Sequence, residues 1–391
     1  MPLLCRHART ILTLLFAALG VLRLGAQSVP AMPSGVERPG SYDGWAARID
    51  DTGRTVWTAR FGGMGADAVR ALAATEDGMI LAAGQVEDPD RGLDGWAAML
   101  DASGMTLWEV SYDRGGTEVL TAIAVVPTGF LLGGFRTVAA GGTVAWLLVV
   151  DASGTVLAER SLASGGFDSV VALAAAEGGA LVAGVRGEPG GRSHGWLAQV
   201  DATLGILARD RLPDRIGPTA IAVRPDGMIV AGADRGRGWL DFRDGAGTWH
   251  DMTPSLPCET SAFDDLTVAD DGGVVAVGWC VGHTGDMDAL IVRLDPTLKL
   301  VWYRTYGGSE HDEAAAVAVW PEQHLAVAGA TRSAGAGKHD VQLMRLTAVG
   351  EPVWERLLGN AGDDRAAAVI PLVGDLIVAG YRKVWRKRPP G

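Results

Sequence analysis

The residues of this chain that could do chemistry recur at one place in a repeated pattern rather than gathering in a single motif. Asp67, Glu118, Asp168, Asp264 (beside Asp265), Asp312 and Asp363 (beside Asp364) stand just ahead of runs that are mostly rich in Ala. If those runs lie side by side, the acids form a ring of oxygens at one end, an arrangement suited to a hard cation such as calcium. The same carboxylates equally suit a second task, accepting backbone N–H bonds from their own turns. Outside the N-terminal segment the histidines are His194, His250, His283, His311, His324 and His339, without the His-x-x-x-His spacing of a zinc site. Four of them, His194, His283, His311 and His339, fall near longer connections of one face and form the set able to converge. The sequence holds no Gly-x-Ser-x-Gly elbow, phosphate loop or Cys-x-x-Cys pair. No catalytic residue and no metal-ligand set is therefore assigned.

Two cysteines remain beyond the N-terminal segment, Cys258 and Cys280. With Asp270–Gly273 as a hairpin turn, position 263 would face 280, and folding the loop 252–261 back would bring Cys258 to Cys280. A disulfide between them is expected.

The elements that must position these residues come from a repeat. An Ala-Gly mark or a close relative ends a short apolar run at 83–84, 133–134, 183–184, 231–232, 277–278, 328–329 and 379–380, spacings of 50, 50, 48, 46, 51 and 51 residues. Each period holds four runs that alternate apolar and polar residues: an Ala-rich run such as EAAAVAVW (313–320), the Ala-Gly run, a Gly-Trp run such as GWAARID (44–50), and a Val-Trp run such as TVWTARF (55–61). Period-2 alternation between Asp, Gly and Pro signals makes each run a strand. Four strands per period near 50 residues predict an all-β, seven-bladed β-propeller of four-stranded blades. The small side chains of the Ala-rich run place it innermost, followed outward by the Ala-Gly, Gly-Trp and Val-Trp strands. The periodic part, 43–382, opens with a third and fourth strand and closes with a first and second. The ring is thus expected to close through one composite blade built from both ends. Ten of the thirteen tryptophans fall at two repeat positions, which marks them as packing between blades.

Composition and termini set the setting. Gly is 55 of 391 residues, and 34 basic against 46 acidic residues give a formal charge of −12. An acidic body disfavours nucleic acid and anionic membranes as partners. Arg6, His7 and Arg9 precede the apolar stretch Ile11–Leu22, and small residues follow at 25–28. Residues 1–28 read as a signal peptide, 29–42 as a flexible leader and 383–391 as a basic tail. Twelve apolar residues are too few to span a bilayer, which needs about 20. The chain is expected to be exported, periplasmic or extracellular, monomeric, and without a transmembrane segment once processed.

The unit Asp-x-x-Gly-x-x-x-Trp, Gly-Gly, acid, Ala-rich strand, Asp-Gly, Ala-Gly resembles exported bacterial β-propeller repeat proteins. DTGRTVW and DASGMTLW are also similar to quinoprotein-type propeller repeats, which implies the fold; the metal-ligand and quinone-stacking insertions of the dehydrogenases are not found. The expected function is a non-enzymatic binding or scaffold module that presents loops at 87–93, 186–193, 252–261 and 332–338 to a protein or polysaccharide. The alternative is an enzyme acting on a sugar or small polar substrate at the channel mouth. No cofactor is expected, calcium being the ion the acid ring would take.

Overall fold

The computed structural model describes residues 42–384 apart from 64, 140, 163–165, 188–192 and 213–214. The signal-like segment, most of the leader, the basic tail beyond 384 and part of the loop 186–193 lie outside the described residues.

The regular elements of the described chain are all strands, apart from one short 3-10 turn at Pro321–Gln323. In order the strands are β1 (Tyr42–Ile49), β2 (Thr55–Phe61), β3 (Ala68–Ala74), β4 (Ile80–Asp88), β5 (Gly92–Leu100), β6 (Thr106–Tyr112), β7 (Glu118–Val126), β8 (Gly129–Thr137), β9 (Thr143–Val150) and β10 (Val156–Leu162). There follow β11 (Phe167–Ala176), β12 (Gly179–Gly187), β13 (Ser193–Asp201), β14 (Ile206–Arg211), β15 (Pro218–Arg224), β16 (Gly227–Asp234), β17 (Arg237–Asp244), β18 (Trp249–Asp251) and β19 (Thr260–Val268). The last are β20 (Val274–Val281), β21 (Met287–Leu294), β22 (Leu300–Tyr306), β23 (Asp312–Trp320), β24 (His324–Thr331), β25 (Asp340–Leu346), β26 (Pro352–Leu358), β27 (Asp364–Leu372) and β28 (Asp375–Lys383).

Consecutive strands pair antiparallel in groups of four: β3–β6, β15–β18, β19–β22 and β23–β26. The groups β7–β10 and β11–β14 are joined by a single parallel pair, Phe167 with Thr143. The remaining sheet has the order β2-β1-β28-β27, with β1 paired to β28 from Tyr42↔Lys383 to Ile49↔Leu376. Strands from the two ends of the chain thus share one sheet. The first strand of each group packs against the first strand of the next, from β3 through β7, β11, β15, β19 and β23 to β27, and β27 packs back on β3.

The core lies between neighbouring sheets. Trp96, Trp146 and Trp239 are fully buried there, and Trp45 nearly so. The outer tryptophans clasp the next sheet. Nε1 of Trp57, Trp108, Trp302 and Trp354 donates to a carbonyl in the following turn, at Ala102, Ala152, Ala348 and Asp51 respectively. The turn glycine beneath each ring has φ near +80°, and at Gly104 an added Cβ would stand 2.5 Å from the Trp57 ring. The turn aspartates bind their own loop, as Asp101 Oδ1 does with the Ser103 and Met105 N–H groups.

One feature of the inner strands shapes the site. In all seven, the ladder to the second strand slips by one residue at the same place, so that the register skips Arg70, Thr121, Val171, Thr219, Asp264, Ala315 and Ala367. Such bulges re-aim a side chain. Opposite each bulge the inner strand presses a carbonyl onto the second strand. A Cβ at Gly329 would lie 1.8 Å from the Glu313 oxygen, and Gly84, Gly278 and Gly380 face similar carbonyls. That approach is the physical reason for the glycine of every Ala-Gly mark.

Candidate functional site

All seven bulged residues line a central cavity of about 510 Å³. In most copies the bulge and the residue after it are small or uncharged. The exceptions are Arg70 on β3 and the adjacent Asp264 and Asp265 on β19. Two positions before the bulge, where other copies place Ala68, Val119, Ser169, Gly217 and Ala262, the chain carries Glu313 on β23 and Arg365 on β27. Thr121 and Thr219 are spent structurally, their hydroxyls donating to Val170 O at 2.8 Å and Phe263 O at 2.7 Å.

The charged residues form two groups. Glu313 is ion-paired with Arg365. Arg365 Nη2 lies 2.9 Å from His339 Nε2, while His339 Nδ1 lies 2.8 Å from Asp363 Oδ1. Both contacts are satisfied when Nδ1–H donates to Asp363 and Nε2 accepts from Arg365. Tyr42 hydrogen-bonds Asp363 and packs edge-on against Tyr381, with ring centroids 5.2 Å apart. Burial raises both phenols above their ordinary range. Asp363 falls below the usual carboxylate range because the hydrogen bond from His339 and the Arg365 charge outweigh its burial. This network joins β1, β27 and β28 to the neighbouring sheet at the composite seam.

The second group is acidic. Asp264 has no hydrogen-bond or ion-pair partner among the described residues, and its charged neighbours are the acids Glu313 and Asp265. Burial, then the charges of Glu313 and Asp265, push its carboxyl well above the usual range. Asp265 is raised to about 7 by burial, opposed by N–H bonds from Val317 at 2.9 Å and Leu266 at 2.8 Å. Both line the cavity and are half-buried groups enclosed by protein. Arg70 donates to Gln85 Oε1 at 2.9 Å. Trp279 and Tyr381 complete the wall with aromatic surface. The cavity therefore offers a carboxyl raised well above its usual range, a carboxyl ion-paired with arginine, the guanidinium groups of Arg70, Arg235 and Arg365, and aromatic surface.

The acids expected to ring the mouth divide. Of Asp67, Glu118, Asp168, Asp264, Asp312 and Asp363, Asp264 alone lines the cavity. Asp67, Glu118, Asp168 and Asp312 are 0–1 % exposed and turn away from it. Asp67 accepts the Gly63 and Glu87 N–H groups, Glu118 that of Arg114, and Asp312 that of Gly308. Asp168 is paired with Arg186. Two assignments to the repeat position are corrected. In the last inner strand the position belongs to Asp364, which accepts the Asn360 N–H, and Asp363 lies one residue outside it. On β19 it belongs to Ser261, which pairs with Cys280 as Asp364 pairs with Arg382. Asp264 sits at the bulge instead.

The histidines do not converge. His339 joins the Arg365 network, while His283 is exposed and pairs with Glu259. His311 is exposed, and His194 meets Arg211 in a separate cleft of about 250 Å³. Cys258 and Cys280 are bonded, with Cα atoms 5.5 Å apart. The residue facing Cys280 is Ser261 rather than 263, because the hairpin turn is closed one residue earlier, at Ala269, and the bulge shifts the register by one more. Arg70, Glu313 and Arg365 escaped the sequence reading. They stand inside the runs AVRALAAT, EAAAVAVW and RAAAVIPL, where Ala-richness hid the charged exceptions.

No protein-family model matches this sequence, and no curated protein matches it. Solved structures do. The periplasmic gluconolactonase PpgL of Pseudomonas aeruginosa aligns with a TM-score of 0.55 at 12 % identity, covering 83 % of this chain and 98 % of that one. Sqt1 from Chaetomium thermophilum aligns with a TM-score of 0.46 at 16 % identity, covering 78 % and 74 %. The likeness to the gluconolactonase supports a β-propeller fold and, at that identity, the fold alone. No helix among the described residues is long and apolar enough to cross a membrane.

Proposed function

We propose that the protein is an exported, seven-bladed propeller that binds a polyhydroxylated ligand, the end of a saccharide chain or a free sugar, in its central channel. The observation that carries this reading is Asp264. It is a carboxyl without a partner among the described residues, at a bulge where five other copies put Ala, Val or Thr and one puts Arg70, beside an ion-paired Glu313. Desolvated charge costs stability, and such groups concentrate where a ligand will use them. A carboxyl pushed upward in this way holds its proton to higher pH, and with it both donates and accepts hydrogen bonds, as does a sugar hydroxyl. Glu313 and the guanidinium groups add acceptors and donors, and Trp279 and Tyr381 offer surface to a ring face.

The ring of seven blades is supported by the cycle of contacts from β3 to β27 and back, and by the shared sheet of β1 and β28. Export is supported by the basic and apolar pattern of residues 1–28 and by the bonded cysteines, which need an oxidising compartment. One observation favours catalysis as a second reading. A carboxyl pushed well above its usual range beside a second, arginine-paired carboxyl is the two-carboxyl arrangement used in glycoside hydrolysis.

The test is a glycan and lactone panel screened for binding and for turnover. Binding that is abolished by Asp264→Ala, with no product formed, supports the binding reading. Turnover lost in the same variant establishes the enzyme. Absence of both in wild type removes the channel from consideration.

A further inference from the structure

The columns that flank the inner strand create a second recurring geometry. The residue just before the Gly-Trp position of one sheet approaches the acid column of the next, and four times both are carboxylates: Asp43 with Asp67, Asp94 with Glu118, Asp288 with Asp312 and Asp340 with Asp364. In each pair one carboxyl is raised above its usual range by burial first, and the charge of its neighbour adds to the rise. Two of these pairs are compensated. Arg60 reaches Asp43 at 2.8 Å. Asp340 accepts the Ala336 and Gly337 N–H groups, and Arg382 lies 3.5 Å from Asp364.

The pair Asp94 and Glu118 differs. A third acid, Asp113, joins it, so that one oxygen of each lies within 4.8 Å of the others; among the described residues no other three-acid group does this. Asp94 is 2 % exposed and Glu118 0 %, yet Asp94 Oδ1 and Glu118 Oε1 are buried with no hydrogen-bond partner. The other Glu118 oxygen accepts the Arg114 N–H at 3.1 Å, and Asp113 Oδ1 accepts that of Gly115 at 2.6 Å. The cation at hand is Arg91. Its guanidinium lies 3.1 Å from Asp113 but 3.8 Å from Asp94, and 2.8 Å from the exposed-side Asp88. Arg91 is thus anchored to Asp88 and leaves the buried oxygens unmatched. Buried carboxylate oxygens without partners are costly.

We propose that Asp94, Asp113 and Glu118 hold a calcium-type divalent cation between the sheets β3–β6 and β7–β10. Three convergent carboxylates form a hard-oxygen set, and water completes the shell that calcium needs. The ion would tie the start of β5 and the end of β6 to the first residue of β7, bracing two adjacent blades at the loop-bearing rim. This site is separate from the channel, and its test does not depend on any ligand there.

The experiment is calorimetric titration of the chelator-stripped full chain with calcium chloride. One saturable ion per chain is expected, with affinity reduced at least tenfold by Glu118→Gln and by Asp94→Asn. Asp113→Asn, at the half-exposed edge of the set, should weaken binding similarly while keeping the near-UV circular dichroism of the native fold. Arg91→Ala should bind calcium at least as tightly as wild type. The proposal is overturned by a folded wild type that takes up no calcium, or by undiminished uptake in folded Asp113→Asn and Glu118→Gln proteins.

Discussion

Replacing Asp264 by Ala should make the protein more stable, and increasingly so as pH rises from 5 to 6. Ala is already the residue at this column on β23 and β27, where Ala315 and Ala367 occupy the bulge. The substitution therefore asks nothing new of the backbone. What it removes is a carboxyl whose folded-state pKa burial and two neighbouring acids hold well above the ordinary value. The sign is fixed by linkage. Above the ordinary aspartate pKa the unfolded chain has released this proton while the folded chain keeps it, so wild-type stability falls as pH rises. The slope for one such group is about 1.4 kcal/mol per pH unit. Water reaching the carboxyl through the cavity reduces that ceiling, and about 1 kcal/mol per unit is the effect to look for. Other groups titrate in both proteins, so the difference between variant and wild type reports Asp264 together with its coupling to Asp265 and Glu313. Urea unfolding at pH 5.0, 5.5 and 6.0 provides the assay, with the m-value checked for constancy. A variant less stable than wild type, or a gap that does not change with pH, would refute the claim that Asp264 is an unpartnered, desolvated acid.

Other consequences concern the scaffold. Removing the disulfide by Cys258→Ala with Cys280→Ala, which opens a span of 22 residues, should cost about 3 kcal/mol; dithiothreitol should lower the wild-type melting temperature and leave the double variant unmoved. Gly329→Ala should abolish soluble expression, since its Cβ has no room against the Glu313 carbonyl, whereas Gly374→Ala, with open space around it, should lose only the about 1 kcal/mol of a strained positive φ. Trp354→Phe deletes the half-exposed bond to Asp51 O that links the last complete sheet to the composite one, and a loss of about 1 kcal/mol in urea unfolding is expected.

Much of the architecture was readable because each of its rules leaves a residue-level trace. Alternation gave the strands, the Ala-Gly marks gave the period, and the gradient from Ala to Trp gave the order β27-β28-β1-β2 across the composite sheet. The site was less readable, for a definite reason. The bulge adds one unpaired residue to every inner strand and is invisible in the alternation, so the doubled acids Asp264–Asp265 and Asp363–Asp364 could not be placed by counting. With Asp264 at the bulge, Ser261 takes the position where Asp312 and Asp364 bind their turns. The acids that do recur proved to be turn and sheet-joining groups, because a carboxylate at the strand entrance lies within reach of several N–H groups. The informative charges were the ones that break the repeat. Arg70, Glu313 and Arg365 become conspicuous once the copies are aligned on the glycine opposite the bulge, since no packing rule of the repeat requires them.

The most direct test of the channel as the binding site is a titration of the best ligand from the panel into wild type and into Ala315→Trp. Ala315 lines the cavity from the bulge of β23, so an indole there fills the channel while leaving the outer loops untouched. The account predicts that the plugged protein keeps its fold and loses binding by at least tenfold. Equal affinity in the two proteins would place the ligand on the loop-bearing face and contradict the role given to Asp264, Glu313 and Arg365.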